Sequence, residues 1–380
     1  GGVVRDLLLG RQNFDLDLVV EGDAIALAQE LAEAKKGKLV VHQRFGTVKL
    51  RWNGWSADLA TARSETYAKA CALPMVNPST IEDDLFRRDF TINAMAVELN
   101  PGRYGQVLDR HGGLADLRGK LVRVLHEKSF IDDATRIWRA IRYEQRLDFQ
   151  LEPRTLELVK RHARYLKKVS GDRIRHELEL ILREDCPEKA LCRASELGVL
   201  RKLHPKLKAN KWLSTRYGRA RQQSSPGAPP FGLYLALLVY RMDTSDVAEL
   251  ASYLRLRKSI TKVLCDTIDL KANLQHLALP QITPSQVYTR LIGYAAEAVV
   301  ANVIAGEILG AGRRLNEFLS KLRYIKPALN GEDLKRLGVA PGPGIKALQH
   351  QLLEARLEGK ALTRRDEEAL VRKWLAGKGR

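Results

Sequence analysis

Polar and apolar residues alternate through Asp15-Leu16-Asp17-Leu18-Val19-Val20. With side chains switching faces at every residue of a strand, Leu16, Leu18 and Val20 fall on one side and Asp15 and Asp17 on the other. Upstream, Gly1-Gly2-Val3-Val4-Arg5-Asp6 leads into a short helix through Leu7-Leu8-Leu9, closed by Gly10. Downstream, residues 22–36 take helical spacing, with Ile25, Leu27, Ala28 and Leu31 as the apolar stripe. Strands are expected at 39–42, 46–52 and 56–61. Residues 62–84 show no clear period, contain Pro74 and Pro78, and read as a loop ending in the acidic turn Glu82-Asp83-Asp84. Ser129-Phe130-Ile131-Asp132 has capping-box spacing and predicts one helix running to about residue 147. On that helix Ala134, Ile137, Trp138 and Ile141 gather on one side, Asp132, Arg136 and Arg139 opposite, and Asp133 at the margin. Beyond about residue 185 the period is helical, apart from a break at 207–231 that is basic and then rich in Ser, Pro and Gly. The pattern predicts an α+β fold, a small mixed sheet followed by all-helical segments, with boundaries expected at 1–118, 119–185, 186–262 and 263–380.

Composition changes this picture in one respect, the partner. The chain has 380 residues, 64 Lys and Arg against 45 Asp and Glu, and a formal net charge of +19. Such an excess argues against an ordinary enzyme of small metabolites and for a polyanion, with nucleic acid leading. Basic residues recur in clusters, Lys160 to Lys168, Arg255 to Lys258 and Arg313 to Arg323, too dispersed for an amphipathic membrane anchor. Cys71, Cys186, Cys192 and Cys265 form no Cys-x-x-Cys pair, so neither a disulfide framework nor a zinc site is expected, and a reducing cytoplasm fits. No signal peptide or apolar run of membrane-spanning length is present. The sequence opens at Gly1 without a Met, inside a motif, and reads as a fragment.

Candidate chemistry begins at Asp15 and Asp17. Two carboxylates on one strand face repel unless a cation lies between them, and a divalent metal resolves that conflict. A solvated strand face is the ordinary alternative for a lone Asp-x-Asp. Asp58, between Ala57 and Leu59 on the 56–61 strand, offers a third carboxylate for a site that clamps attacking and leaving oxygens of a phosphoryl transfer. Gly1-Gly2 before a helix lets backbone N–H groups approach phosphates, although no Gly-x-Gly-x-x-Gly fingerprint is present. Arg87-Arg88-Asp89-Phe90-Thr91-Ile92-Asn93 offers a guanidinium fork for phosphate oxygens and polar groups for a ribose. On the helix from Ser129, Asp132, Asp133, Arg136 and Arg139 read by themselves as an exposed, salt-bridged face. Geometry alone leaves Asp132 and Asp133 nearly interchangeable.

Gly-Gly-x-Val-Arg-Asp, then Asp-x-Asp, then Arg-Arg-Asp-Phe-Thr-Ile-Asn-Ala-Met-Ala resembles, in order and spacing, the class II (bacterial-type) tRNA nucleotidyltransferases, the CCA-adding enzymes, and their poly(A) polymerase relatives. The resemblance is strong over residues 1–180 and looser beyond. It implies a polymerase-beta-like nucleotidyltransferase head at 1–118, a base-recognising neck at 119–185, and a helical body and tail that bind tRNA. Asp15 and Asp17, with Asp58 as third ligand, would hold Mg²⁺; Gly1, Gly2 and Arg5 would lie along the phosphates, and Arg88, Asp89 and Asn93 near the sugar. Asp132-Asp133-Ala-Thr-Arg136 is similar to the family's Glu-Asp-x-x-Arg signature, which selects Asp133 and Arg136 as the base template and Arg139 as their brace. Ser170-Gly-Asp172-Arg173-Ile-Arg-His-Glu177-Leu is similar to a following motif, with Asp172 at its usual Glu, and is read as helix capping and neck structure. The glycine-rich turn Leu337 to Ile345 is similar to the tail of longer members.

The implied activity is template-independent addition of CMP and/or AMP, from CTP and ATP, to the 3′ end of tRNA. The stretch Glu65-Thr-Tyr67…Pro74-x-Val-x-Pro78 is similar to A-adding members. A poly(A) polymerase is the nearer alternative, and His42-Gln43-Arg44-Phe45-Gly46-Thr47 departs from the basic pair and Arg-Phe-Arg those enzymes carry. A non-catalytic RNA-binding protein is the alternative of another class; every acid of the expected site is present, which argues against it.

Overall fold

The computed structural model describes residues 1–43 and 46–378, so Arg44 and Phe45, part of the departure from poly(A) polymerases, lie outside the described residues. These residues form two compact units, Gly1–Asn210 and Lys211–Arg380. The first opens with α1 (Gly2–Leu8), β1 (Leu16–Val20), α2 (Ala24–Lys35), β2 (Lys38–His42), β3 (Thr47–Trp52) and β4 (Trp55–Thr61). The strands form one mixed sheet in the order β1-β4-β3-β2, parallel between β1 and β4 and antiparallel elsewhere. The alternation in the sequence is realised: Leu16, Leu18 and Val20 turn toward Val48, Leu50, Ala57, Leu59 and the inner face of α2, leaving Asp17 and Asp58 on the other face of the sheet.

That inner face of α2 differs from the expected stripe. Ala24, Ala28 and Ala32, one turn apart, are buried, whereas Leu27 is 37 % exposed. Small residues at i, i+4 and i+8 let the helix lie close on the sheet, and the larger apolar residues are pushed to its flanks. Asp23 caps the helix, its carboxylate accepting from the amides of Ile25 and Ala26.

The stretch expected as a loop contains a hairpin, β5 (Arg63–Thr66) with β6 (Met75–Pro78), and then α3 (Ile81–Phe86), capped by Thr80. Pro78 is tolerated because it ends an edge strand, where its missing N–H is not needed by the ladder. A 3-10 turn at Thr91–Asn93 follows, then β7 (Ala96–Val97), β8 (Val107–Leu108), α4 (Gly113–Arg118) and β9 (Leu121–Val122).

The expected long helix from Ser129 is broken in two, α5 (Ser129–Asp132) and α6 (Thr135–Leu147). Asp133 between them is extended, with φ −143° and ψ 99°. Its Oδ1 accepts from both the backbone N–H and the hydroxyl of Thr135, at 2.9 and 2.7 Å, a local turn that competes with helix. Ser129 forms no capping box; its buried hydroxyl accepts from Arg136 instead. The unit continues with β10 (Gln150–Leu151), α7 (Pro153–His162), a 3-10 segment at Ala163–Lys168, α8 (Gly171–Leu182), α9 (Pro187–Glu196) and α10 (Leu200–Leu203). Trp138, Ile137 and Ile141 are fully buried on the apolar side of α6, which packs on α8 and α9. The expected boundary at 185/186 therefore falls within one packed unit.

The second unit is helical: α11 (Lys211–Ser224), α12 (Phe231–Val239), α13 (Thr244–Tyr253), α14 (Lys258–Leu277), α15 (Pro284–Leu291), α16 (Ala296–Ala305), α17 (Leu309–Ser320), α18 (Gly331–Arg336), α19 (Pro343–Leu357) and α20 (Arg364–Lys378). Much of the break expected at 207–231 is α11, whose buried Leu213, Tyr217 and Ala220 supply a sparse stripe among polar neighbours. The expected boundary at 262/263 falls inside α14. The glycine-rich turn between α18 and α19 ends at Gly342, the N-cap of α19, with Pro343 as the first helical residue. Among the described residues no single helix is long and apolar enough to cross a membrane.

Candidate nucleotide-binding cleft

A cleft of about 810 Å³ in the first unit gathers most of the residues singled out in the sequence: Gly2, Asp15, Asp17, Arg88, Asp89, Asn93, Asp133, Arg136 and Arg139 all line it. Gly1, Arg5 and Asp58 do not.

The acidic edge comes from β1, which carries Asp17, and from the residue before it, Asp15, expected on the strand but lying just ahead of it with its N–H donating to Asn13 Oδ1 at 2.9 Å. Asp17 pairs in register with Asp58 on the parallel β4. Burial pushes the Asp17 carboxyl up, and Asp15 and Asp58 push it further, against the opposing pull of Arg88. Asp58 is engaged by Lys49 at 2.9 Å, and among the described residues no three His, Cys, Asp or Glu side chains form a metal-holding group. The expected three-carboxylate cluster thus reduces to two acids lining the cleft, with Asp58 beside them under Lys49. Two carboxylates of unrelieved like charge still suit a hard divalent cation that completes its shell with substrate phosphates and water.

The basic edge is built by α3. Asp84, fully buried, accepts from Arg87 at 2.6 Å and from Arg88 at 2.9 Å, one guanidinium per carboxylate oxygen. Burial pushes its carboxyl up, but the two arginines outweigh it and hold the group below the usual carboxylate range. Arg87 also donates to Glu65 on β5, at 3.0 Å. The Gly1 position suits this arrangement, because a Cβ there would stand 2.5 Å from Arg88 Nη1. If the arginines contact phosphate, Asp84→Asn, which removes the charge that aims them, raises the KM for nucleotide by about tenfold, the worth of a charge-assisted hydrogen bond. Steady-state kinetics at fixed RNA measure it, and an unchanged KM would remove Asp84 from that role.

Arg5 does something other than lie along phosphates. It is 3 % exposed, pairs with Asp6 and donates to Asn93 Oδ1 at 2.6 Å. The amide N–H of Arg5 bonds back to the Gly1 carbonyl, so the helical turn carries the side chain inward, 5.0 Å from the Tyr143 ring centroid. It fixes Asn93, which in turn donates to Asp89 Oδ1 at 3.0 Å. Asp89 Oδ2 receives Arg139 Nε at 2.8 Å and Nη2 at 2.6 Å. Burial raises the Asp89 carboxyl, but Arg139 and Asn93 together bring it below its ordinary value.

The far wall belongs to α6 and α8. Arg136 donates to Ser129 Oγ at 2.8 Å and to the Arg87 carbonyl at 2.6 Å. Asp133 Oδ2 faces Arg173 Nη2 at 2.8 Å. Asp132 lies outside the cleft, with His126 Nδ1 4.0 Å away, so the structure separates the two acids that helical geometry had left interchangeable. The break at Asp133 does this.

Arg87, read in the sequence as half of the guanidinium fork, lines the cleft too, whereas sequence reasoning gave no site role to Glu65, Tyr67, Asp172, Arg173, His176 and Glu177, which also line it. The motif at 170–178 had been assigned to capping, yet Ser170 makes no side-chain cap bond and α8 turns Arg173 and Glu177 to the cleft. Their i, i+4 spacing was the available signal. Glu177 is 5 % exposed, burial pushes its carboxyl up, and its Oε2 has no hydrogen-bond partner among the described residues.

Comparison with known proteins gives the same picture. Residues 1–123 match the poly A polymerase head domain, and residues 148–211 match the "probable RNA and SrmB-binding site of polymerase A". An A-adding tRNA nucleotidyltransferase of Geobacter sulfurreducens is 34 % identical across 97 % of this chain, which spans 44 % of that relative's length. Another, from Halalkalibacterium halodurans, is 34 % identical across 91 % of this chain and 81 % of its own length. A solved Thermotoga maritima CCA-adding enzyme in complex with tRNA superposes with a TM-score of 0.77, at 33 % identity, over 99 % of this chain and 90 % of that one.

Proposed function

Since the chain belongs to the tRNA nucleotidyltransferase family, we propose that it transfers AMP from ATP onto the 3′ end of tRNA. The observation that carries this reading is one cleft lined by a pair of acids, Asp15 and Asp17, at the start of β1, an arginine pair aimed by Asp84, and a separate acceptor and donor, Asp133 and Arg136.

Enzymes of this family use a divalent metal, and Asp15 and Asp17 are the residues that fit one here. Bound there, Mg²⁺ would neutralise triphosphate charge and lower the pKa of the RNA 3′-hydroxyl. The remaining work falls to protein groups. Arg88, with Arg87 beside it, binds phosphate oxygens as a preset fork, and Gly2 lets backbone approach them. Asn93 and Asp89, held by Arg5 and Arg139, form the floor on which the sugar rests. Asp133 accepts from the exocyclic amine that adenine and cytosine share; uracil and guanine present an oxygen there and are refused.

Restriction to AMP is supported by the relatives named as A-adding, which align with nearly all of this chain. Addition of CMP as well is the second reading, favoured by the structural likeness to an enzyme described as CCA-adding. The +19 net charge supplies the electrostatic attraction for tRNA, and its affinity is expected to fall steeply with salt. We place the reaction in the cytoplasm, where tRNA is processed.

Incubation with tRNA ending at the discriminator, at CC and at CCA, with each labelled NTP in turn, separates these readings. AMP added only to the CC-ended substrate supports the proposal. CMP added to the discriminator-ended substrate selects the second reading, long A tails on arbitrary RNA select a poly(A) polymerase, and no incorporation overturns all of them.

A further inference from the structure

The reading of Asp133 as base acceptor raises a problem that the sequence does not show. A carboxylate next to an arginine ordinarily pairs with it, and a paired donor and acceptor are no longer available to a base. Asp133 and Arg136 both line the cleft. Yet they are held apart by different anchors. Arg136 is committed to Ser129 Oγ at 2.8 Å and to the Arg87 carbonyl at 2.6 Å. Asp133 Oδ1 takes the N–H and the hydroxyl of Thr135, which together fill that oxygen. Its Oδ2 takes Arg173 Nη2 at 2.8 Å, from the first turn of α8.

Acceptor capacity makes the consequence definite. A carboxylate offers about four lone-pair sites. Thr135 uses two and Arg173 one, which leaves a single acceptor position on Oδ2, beside Arg173 and open to the cleft. One position is what the outward N–H of an exocyclic amine requires. Without Arg173 nothing holds Oδ2 on the α8 side, and the carboxylate is free to turn toward the other cations that line the cleft, Arg136 among them.

We propose that Arg173 is a specificity-determining positioning residue: its ion pair with Asp133 keeps the carboxylate off Arg136, so that acceptor and donor reach the incoming base separately. The inference rests on the assignment of Asp133 and Arg136 to base recognition. It gives α8 a part in nucleotide choice although Arg173 itself reads no base.

The test compares the full chain with Asp133→Ala, Arg173→Met, Arg173→Lys and the Asp133→Ala/Arg173→Met double variant, measuring kcat/KM for ATP, CTP, GTP and UTP on CC-ended tRNA. Asp133→Ala is expected to lose about 10- to 100-fold in discrimination between the preferred nucleotide and UTP or GTP. Arg173→Met is expected to lose about tenfold in the same ratio, and the double variant to be no worse than Asp133→Ala alone, the signature of two residues acting as one unit. Arg173→Lys restores part of the ratio by restoring charge without the planar fork. A merely structural Arg173 would lower all four kcat/KM values together and leave their ratio untouched; that result overturns the inference, as does an unchanged ratio in Arg173→Met beside a lost one in Asp133→Ala. An unchanged ratio in Asp133→Ala instead overturns the base-reading assignment itself. If the Met variant does not fold, Arg173→Gln, which keeps a donor but removes the charge, decides in its place: a lowered ratio supports the inference, and a wild-type ratio with tRNA binding intact overturns it.

Discussion

Replacing Asp17 by alanine is expected to lower single-turnover nucleotide transfer at least about a thousandfold, because on the proposed reading a carboxylate that would hold charge-neutralising metal at the reacting phosphate is lost. Binding of tRNA, which draws on basic surface elsewhere, is expected to stay within a few-fold. The stability of the free protein should not suffer either. Asp17 lies on the outer face of β1, raised by burial and by the like charges of Asp15 and Asp58. A carboxyl whose pKa is raised on folding is one the folded state prefers neutral, so above that pKa its charge weighs against the fold. Removing it at neutral pH, with chelator present, should leave the melting temperature equal or higher. Loss of activity with a clear drop in melting temperature would mean that Asp17 is a packing residue. Retention of activity within tenfold would remove it from the chemistry.

The acidic edge was legible because one period does two things there: the strand alternation that turns Leu16, Leu18 and Val20 to the core leaves Asp17 on the other face, with Asp15 just before the strand. The sheet, α2 and the helical second half follow from such periods. What the chain's local pattern hides are contacts made across elements. Asp58 has the right register opposite Asp17, but its partner Lys49 comes from a third strand. Arg5 sits in a motif that suggests phosphate, but α1 rotates it inward to Asn93, 88 positions away. Short elements escape for a different reason. β5 and β6 are four residues each, too short for alternation to outweigh a proline, and α11 is stabilised by three buried residues amid polar ones. The break at Asp133 was masked by good helical spacing on both sides, whereas a side chain that bonds to the backbone two residues ahead overrides that spacing.

That same break is what lets the proposed reading divide chemistry from selectivity within the first unit. A continuous helix from Ser129 would have kept Asp132 and Asp133 about a third of a turn apart as near equivalents. The extended Asp133 sends one acid to the cleft and the other toward His126. On the proposed reading, Asp15 and Asp17 then act without regard to the base, and the choice of base falls to the residues around Asp133.

Arg139→Met is expected to destabilise the protein by about 3 kcal/mol at neutral pH, since breaking a buried ion pair from one side leaves the other charge uncompensated. Asp89 is 7 % exposed, and Arg139 supplies both bonds to its Oδ2. Its other oxygen is already committed to the Phe90 amide and to Asn93, so no side chain of that group can turn to replace the guanidinium. The pH dependence has a definite sign. The folded-state pKa of Asp89 is depressed, so the ion pair contributes its full stability above the unfolded value of about 3.9 and loses it as pH falls through the lower folded value. The gap between Arg139→Met and the native chain in urea titrations should therefore be widest near pH 7 and narrow below about pH 4. Pairing the variant with Asp89→Asn, which removes the stranded charge but keeps an acceptor for the Asn93 side chain, should recover much of the loss. A gap that stays constant down to acid pH, and that Asp89→Asn does not relieve, would mean Arg139 stabilises through its guanidinium, 5.9 Å from the Tyr143 ring centroid, rather than through its pair with Asp89. The catalytic readout then separates as well: if the pair only props the fold, kcat/KM in the double variant returns with stability, whereas a floor for the sugar that needs the ionised Asp89 leaves the restored fold with a raised KM for nucleotide.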